Sequence, residues 1–150
     1  MVPVETLRKL DVFDGLTKVE LEAIQGITQI EDFPRGTVIF NENEEAKNLF
    51  VLLQGNVAIQ FEVGRNRRIT VHSVSSGQAF GWSALVQPYK FTASAKCVNK
   101  CQVVAVDRDG IRKLIEMDCH MGFVIMEKLA GLVSERLKDT RMQLISMLHG

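Results

Sequence analysis

A long uncharged segment is the first place in this sequence where side chains could bind a ligand. Residues Ile69 to Tyr89 contain no Asp, Glu, Lys or Arg. The segment is long enough to cross a bilayer, but it holds four serines, two glutamines, two glycines, a histidine and a proline, which argues against a membrane helix. A stretch rich in glycine and serine is suited instead to line a pocket, so we expect the binding site here and no membrane contact.

The histidines do not form a catalytic or metal-binding pattern. His72, His120 and His149 are far apart in the sequence and include no H-x-H pair, whereas metal-dependent enzymes need several such ligands together with a carboxylate. A lone histidine on a strand, as expected for His72, is typical of a structural role. G-x-S-x-G and Cys/His nucleophile patterns are also missing from the sequence. We therefore predict no enzyme activity, no metal site and no cofactor.

The cysteines indicate a reducing compartment. Cys97, Cys101 and Cys119 are an odd and sparse set, which is typical of free thiols rather than of a disulfide framework. The N-terminus, MVPVETLRKL, contains no apolar signal-peptide core. The sequence therefore predicts a cytoplasmic protein whose free thiols lie in the core.

The overall charge disfavours a nucleic-acid binder. The chain has 150 residues, with 18 Lys plus Arg and 18 Asp plus Glu, so its formal net charge is zero. Proteins that bind nucleic acid mainly through charge are basic. Hydrophobic residues make up 46% and charged residues 24% of the chain, as in globular domains. We expect one globular domain that makes no direct nucleic-acid contact.

The segments on either side of the uncharged run predict a β domain flanked by helices. Residues 1–27 are expected to be helical, and Thr17-Lys18-Val19-Glu20 has the form of a capping box. Residues 28–107 contain period-2 segments separated by turn signals, which is typical of an antiparallel barrel or sandwich. Helix is expected again over residues 108–150, with Asp107 as the N-cap of a helix that ends at Met117.

The last helix carries two apolar stripes. One is a seam with alternating steps of three and four residues, which indicates a helix that pairs with another helix. Its members are Phe123, Met126, Ala130, Val133, Leu137, Thr140, Leu144 and Met147. The second stripe contains Ile125, Leu129 and Leu132. We predict that one stripe packs on the domain and the other forms a homodimer; the alternative is a single helix packed on its own domain.

Three motifs within this order of elements resemble a known family. They are LFVLLQGNVAI (Leu49–Ile59), SGQAFGWSAL (Ser76–Leu85) and FTASAKC (Phe91–Cys97). They resemble the cyclic nucleotide-binding domain of the catabolite activator protein and its relatives. The resemblance implies an eight-stranded antiparallel β-roll, that is, a double-stranded β-helix or jelly roll, between N-terminal helices and a long C-terminal dimerisation helix. In the family, DNA binding comes from a helix-turn-helix domain after this helix, and we expect none in this chain.

The resemblance also implies where a ligand would bind. The family's phosphate-binding cassette resembles F-G-E-(L/M)-A-L followed by R-(S/T)-A, and its small helix directs amide groups at the phosphate. The matching residues implied as ligand-binding are Phe80, Gly81, Trp82, Ser83 and Ala84, then Phe91, Thr92 and Ala93.

This cassette departs from the family pattern at two positions. Trp82 stands where the family has the acidic residue that binds the ribose 2′-hydroxyl, and Phe91 stands where it has the phosphate-binding arginine. Loss of one charge-assisted bond costs about 1.5–3 kcal/mol, or roughly ten- to a hundredfold in affinity. We therefore expect weak cyclic nucleotide binding at best. Trp82 is expected either to stack on a ligand or to cap a shrunken pocket.

Nearby cations offer compensation for the missing arginine. Lys90 precedes Phe91 and could reach a phosphate as a point charge, or it is a solvated loop lysine. In the family, polar residues midway along the last helix reach the purine, and Arg136, Thr140 and Arg141 stand at the matching positions.

Together these features predict a non-catalytic sensor module. It would bind cyclic AMP, cyclic GMP or a related small anion weakly and would signal through the C-terminal helix. The alternative is an interaction scaffold whose pocket is vestigial and binds no cyclic nucleotide.

Overall fold

The computed structural model describes residues 1–149 and contains eight strands, four α-helices and two short 3₁₀ helices. The α-helices are α1 (Val4–Arg8), α2 (Lys18–Gln25), α3 (Arg108–Met117) and α4 (Cys119–His149), and the 3₁₀ helices span Asp11–Phe13 and Trp82–Leu85. The strands are β1 (Thr28–Phe33), β2 (Val38–Phe40), β3 (Asn48–Gln54), β4 (Val57–Glu62), β5 (Arg68–Val74), β6 (Ala79–Phe80), β7 (Ser94–Cys97) and β8 (Cys101–Asp107).

The strands form two antiparallel sheets of four, in the orders β1-β8-β3-β6 and β2-β7-β4-β5. Consecutive strands such as β7 and β8 lie in different sheets, so the chain winds back and forth between them as a roll. The central strand β8 pairs with β1 on one side and β3 on the other, and Val103 to Val106 are fully buried or nearly so. The predicted eight-stranded roll with flanking helices is confirmed.

Local signals at the helix ends are also confirmed. The Thr17 hydroxyl accepts the Glu20 amide at 3.2 Å, and the Glu20 carboxylate accepts the Thr17 amide at 2.9 Å. Asp107 caps α3 by accepting the Gly110 amide at 2.8 Å. These caps form because each helix leaves its first amides without intrahelical partners.

Only part of α4 packs on the roll. With 31 residues, the helix is about 46 Å long. Met121, Ile125 and Leu129 are buried, so the second stripe is the one that packs on the body. Leu144 and Met147 on the seam are 57% and 68% exposed. Among the helices that the structure describes, none is apolar and long enough to span a membrane.

One expectation about the thiols was wrong. Cys97 and Cys101 are buried and free, as predicted, but Cys119 is exposed. Cys119 is the first residue of α4, where the helix begins at the surface and its first turn is only partly covered.

Candidate ligand-binding site

A cavity of about 240 Å³ lies between the β2-β7-β4-β5 sheet, the segment that links β6 to β7, and the middle of α4. Most of its walls are apolar. The lining residues are Phe40, Ile59, Phe61, Val71, His72, Phe80, Gly81, Trp82, Ser83, Phe91, Thr92, Ala93, Val133, Arg136, Leu137 and Thr140. The uncharged segment and the last helix, which are far apart in the sequence, therefore meet at one site.

Phe91 is part of an aromatic cluster rather than a polar cradle. Its ring stacks on Phe40 with centroids 3.7 Å apart and is only 5% exposed. Phe40 also stacks on Phe50 and Phe80, at 5.8 and 6.1 Å. The position that would hold a phosphate-binding cation is thus filled by a packed ring.

The backbone of Gly81 packs against this aromatic cluster. It has a φ of 72°, in the left-handed region that favours glycine. A Cβ there would lie 3.1 Å from Phe91, 3.2 Å from Phe40 and 3.3 Å from Phe50. Glycine is therefore required here because three phenyl rings approach the backbone closely.

The short helix after Gly81 offers fewer free amides than the resemblance implies. The Ala84 amide donates to the Gly81 carbonyl at 3.3 Å, and the Ala84 side chain is fully buried outside the cavity wall. Ser83 and the half-buried Trp82 do line the cavity. Trp82 adds an aromatic surface where the family pattern has a carboxylate.

Two of the expected cations do not reach the cavity. Lys90 is exposed and lies in an isolated antiparallel bridge with Glu45. The flanking backbone is held by a bond from the Phe91 amide to the Glu44 carbonyl at 2.9 Å, so Phe91 turns inward and Lys90 turns to solvent. Arg141 is exposed on α4 and is not part of the cavity wall.

Arg136 brings the positive charge to the cavity. Its side chain is only 11% exposed. The guanidinium lies 3.5 Å from both the Asp139 carboxylate and the Gln78 side-chain oxygen, and its Nε is buried without a hydrogen-bond partner among residues 1–149. Thr140 also lines the cavity, but its hydroxyl donates to the Arg136 carbonyl at 2.8 Å.

His72 is a polar residue of the cavity that the sequence reasoning missed. Neither ring nitrogen has a hydrogen-bond partner in the part of the chain that the structure describes, and both are buried. Burial and, to a smaller extent, the Arg136 charge lower the pKa of His72 from 6.5 to about 4, with Asp139 opposing the shift. The imidazole is therefore neutral near pH 7.

A β-bulge points His72 into the cavity. Phe61 pairs with Ile69 and Gln60 with Thr70, but Ile59 pairs with His72, which leaves Val71 as the extra residue. A regular ladder would place Val71 opposite Ile59 and His72 on the outer face. Because of the bulge, His72 shares the inner face with Ile59.

A second cluster of possible ligands lies between α2 and α4. Atoms of Glu20, Asp118 and His120 lie within 4.8 Å of one another. Glu20 already accepts the Thr17 amide and lies 2.9 Å from His120 Nδ1, while Asp118 accepts the Met121 amide at 3.0 Å. These hydrogen bonds satisfy the three side chains and connect α2 to the start of α4.

The family model of the cyclic nucleotide-binding domain matches residues 30–118, more than half of the chain. The chain belongs to this family. The matched range begins within β1, contains the rest of the roll and the segment between β6 and β7, and ends just before α4. Trp82 and Phe91, the two residues that depart from the family's cassette pattern, lie within this matched range.

Solved and curated relatives agree with this membership. A protein from Geobacter metallireducens GS-15, provisionally assigned as a cyclic nucleotide-binding protein, is 36% identical, with a TM-score of 0.82 over 91% of this chain and 99% of that chain. The CRP-like cAMP-activated global transcriptional regulator of Mycobacterium tuberculosis (strain ATCC 25618 / H37Rv) is 26% identical over 96% of this chain and 62% of its own length.

The sensor domain of the transcriptional regulator DNR from Pseudomonas aeruginosa shares the fold at 16% identity, with a TM-score of 0.75 over 89% of this chain and 90% of that one. The chain spans less than two thirds of the length of the curated regulators that it matches. The comparisons thus show the domain family and its fold.

Proposed function

We propose that this cyclic nucleotide-binding domain is a non-catalytic sensor whose ligand is a small organic anion. The observation that carries the proposal is Arg136, a largely buried guanidinium with an unpaired Nε in the wall of an otherwise apolar cavity. A buried charge is costly unless it is paired. The Asp139 carboxylate that pairs with this guanidinium is half-exposed and 3.5 Å away, and an anionic ligand in the cavity would supply a partner for the buried Nε.

The position of Arg136 also supports a route for the signal. Val133, Arg136, Leu137 and Thr140 of α4 line the cavity, so a ligand would contact the roll and the helix together. Its binding free energy would then favour one position of α4 over others. The exposed seam beyond these residues is the surface through which we propose that two copies form a homodimer.

Cyclic AMP and cyclic GMP are expected to be weak ligands. The position of the phosphate-binding arginine is the stacked Phe91, and Lys90 faces solvent. With the charge-assisted bond lost, affinity falls roughly ten- to a hundredfold. We expect Arg136, which lines the cavity from α4, to recover part of this loss.

One observation favours the scaffold alternative. The aromatic cluster fills the phosphate position, and the seam of α4 carries several exposed apolar side chains, among them Leu137, Leu144 and Met147. In that case α4 would be the functional surface and the cavity would bind no anion.

Thermal unfolding with and without ligands separates the two functions. At a hundred times its Kd, a ligand that binds only the folded state stabilises it by about 2.7 kcal/mol, which raises the Tm of a domain of this size by roughly 5–10 °C. We expect such shifts with small organic anions, smaller ones with cyclic AMP and cyclic GMP at equal concentration, and none in Arg136→Gln.

Arg141→Gln is the matched control, since Arg141 is an exposed arginine on the same helix outside the cavity. If neither cyclic nucleotides nor small carboxylates raise the Tm of the wild-type protein, the sensor proposal fails and the scaffold function is favoured.

A further inference from the structure

We infer that the cavity takes an aromatic carboxylic acid of one or two rings, whose carboxylate is shared by Arg136 and His72. This inference rests on the proposed function, because it names the chemical class of the anion and a second residue that recognises it. Three kinds of observation carry it: the unpaired polar atoms, the chemistry of the walls and the size of the cavity.

The unpaired polar atoms come from two separate elements that face one cavity. His72 on β5 has two buried ring nitrogens without partners, and Arg136 on α4 has a buried Nε without one, within residues 1–149. Both residues line the cavity, and the Arg136 charge is close enough to lower the pKa of His72. Buried polar groups in folded proteins are nearly always hydrogen-bonded.

A carboxylate matches this pair. It has two oxygens with about four acceptor positions, and both an arginine N–H and a neutral imidazole N–H can donate to it. The geometry of the present partners leaves room for it, because Asp139 and Gln78 lie 3.5 Å from the guanidinium, well beyond the 2.7–2.9 Å of a charge-assisted bond. Asp139 is 50% exposed and can therefore move into solvent when a ligand binds.

The rest of the cavity suits an aromatic body. Phe40, Phe61, Phe80, Phe91 and Trp82 contribute to the wall. Rings pack favourably against rings, edge to face or offset, whereas the hydroxyls and ring nitrogens of a cyclic nucleotide would lose water against phenyl groups. No carboxylate lines the cavity in the described part of the chain, so a ribose hydroxyl would lack the acceptor that the family supplies.

The volume sets the size of that body. An apolar protein cavity of about 150 Å³ holds benzene, and this one measures about 240 Å³. The space therefore fits one or two rings with a carboxylate at the polar end. A larger ligand would have to project through the opening.

Isothermal titration with four probes tests the inference. The probes are 2-naphthoate, its neutral analogue 2-naphthamide, the flexible acid decanoate, and cyclic AMP. We expect 2-naphthoate to bind most tightly. We expect 2-naphthamide to bind at least tenfold more weakly, because the bond to the guanidinium loses its charge.

Three variants locate the binding. We expect Arg136→Gln to weaken 2-naphthoate at least tenfold, His72→Phe to weaken it about fivefold, and the exposed control Arg141→Gln to leave it unchanged. Because His72→Phe also changes the side chain that packs on the inner face of β5, the imidazole ¹⁵N resonances of His72 in the wild-type protein provide a second measurement. They are expected to shift on addition of 2-naphthoate and to stay in place with 2-naphthamide at equal concentration.

The outcomes separate the inference from the proposed function. Tighter binding of decanoate or of cyclic AMP, lost in Arg136→Gln, would overturn the aromatic class and leave the anion sensor standing. Unchanged His72 resonances with bound 2-naphthoate would overturn the shared carboxylate. If none of the three anions binds, both the inference and the proposed function fail.

Discussion

Truncation of Phe91 tests whether the phosphate position of the family has become part of the hydrophobic core. Phe91 is 5% exposed and stacks on Phe40 at 3.7 Å. Truncation of a buried phenylalanine to alanine costs about 3–5 kcal/mol. Phe91 borders an existing cavity, so the truncated site opens onto that space, and we expect a cost at the lower end, about 3 kcal/mol.

The assay is urea and thermal unfolding followed by circular dichroism. For a domain of 150 residues, a loss of about 3 kcal/mol corresponds to a fall in Tm of roughly 6–12 °C. Val19→Ala is the control. Val19 is 75% exposed on α2, outside the seam, and exposed substitutions usually change stability by less than about 0.5 kcal/mol.

A cost below about 1 kcal/mol for Phe91→Ala would refute this reasoning. It would mean that the ring does not contribute to the core and can leave the phosphate position. The aromatic cluster would then be a movable wall, and the argument for weak cyclic nucleotide binding would lose its structural basis.

Three further predictions concern the glycine, the histidine and the seam. Gly81→Ala is expected to lower the Tm more than Gly36→Ala, because both have positive φ but only a Cβ at position 81 meets phenyl rings; equal losses would contradict this. The pKa of His72 is lowered from 6.5 to about 4, so between these pH values the unfolded state binds more protons than the folded state. The free energy of unfolding therefore falls as the pH drops from 6.5 towards 4. In urea unfolding, we expect the free energy of unfolding to fall less between pH 7 and pH 5 in His72→Phe than in the wild-type protein. Burial raises the pKa of Glu20, but its contacts with the Thr17 amide and His120 outweigh this effect and hold the pKa at about 2. The stabilisation that Glu20 provides is therefore the same at pH 7 and pH 5 and is lost only as the pH falls from 4.5 towards 2. Leu144→Glu, on the exposed seam, is expected to convert a dimer to a monomer in sedimentation, and a wild-type protein that sediments as a monomer would disprove the dimer.

The features that could be read from the sequence are those set by neighbouring residues. The capping box at Thr17 depends on groups three positions apart, and the period-2 segments depend on the alternation of side chains along a strand. The buried stripe of α4 follows from helical spacing in the same way. These local rules, together with the family motifs, were sufficient to predict the roll and its flanking helices.

Arg136 could have been singled out by extending one of these rules. Ile125, Leu129 and Leu132 form the stripe that faces the body, and Arg136 continues it at the next helical step. Arg141 is five residues further on, about 140° around the helix, so both arginines cannot face the same cavity. Helical spacing alone therefore favours Arg136 over Arg141 as the arginine that faces the body.

His72, Phe91 and Lys90 required the tertiary structure. His72 reaches the inner face only because a bulge at Val71 shifts the alternation of β5 by one residue, and the period-2 pattern of a single strand does not reveal its register with a partner. Phe91 turns inward and Lys90 outward because a bond from the Phe91 amide to the Glu44 carbonyl fixes the backbone there. The sequence determined which segments form the roll and the helix that lies against it; the pairing of strands distant in sequence decided which side chains line the cavity, because only that pairing sets the direction in which each side chain points.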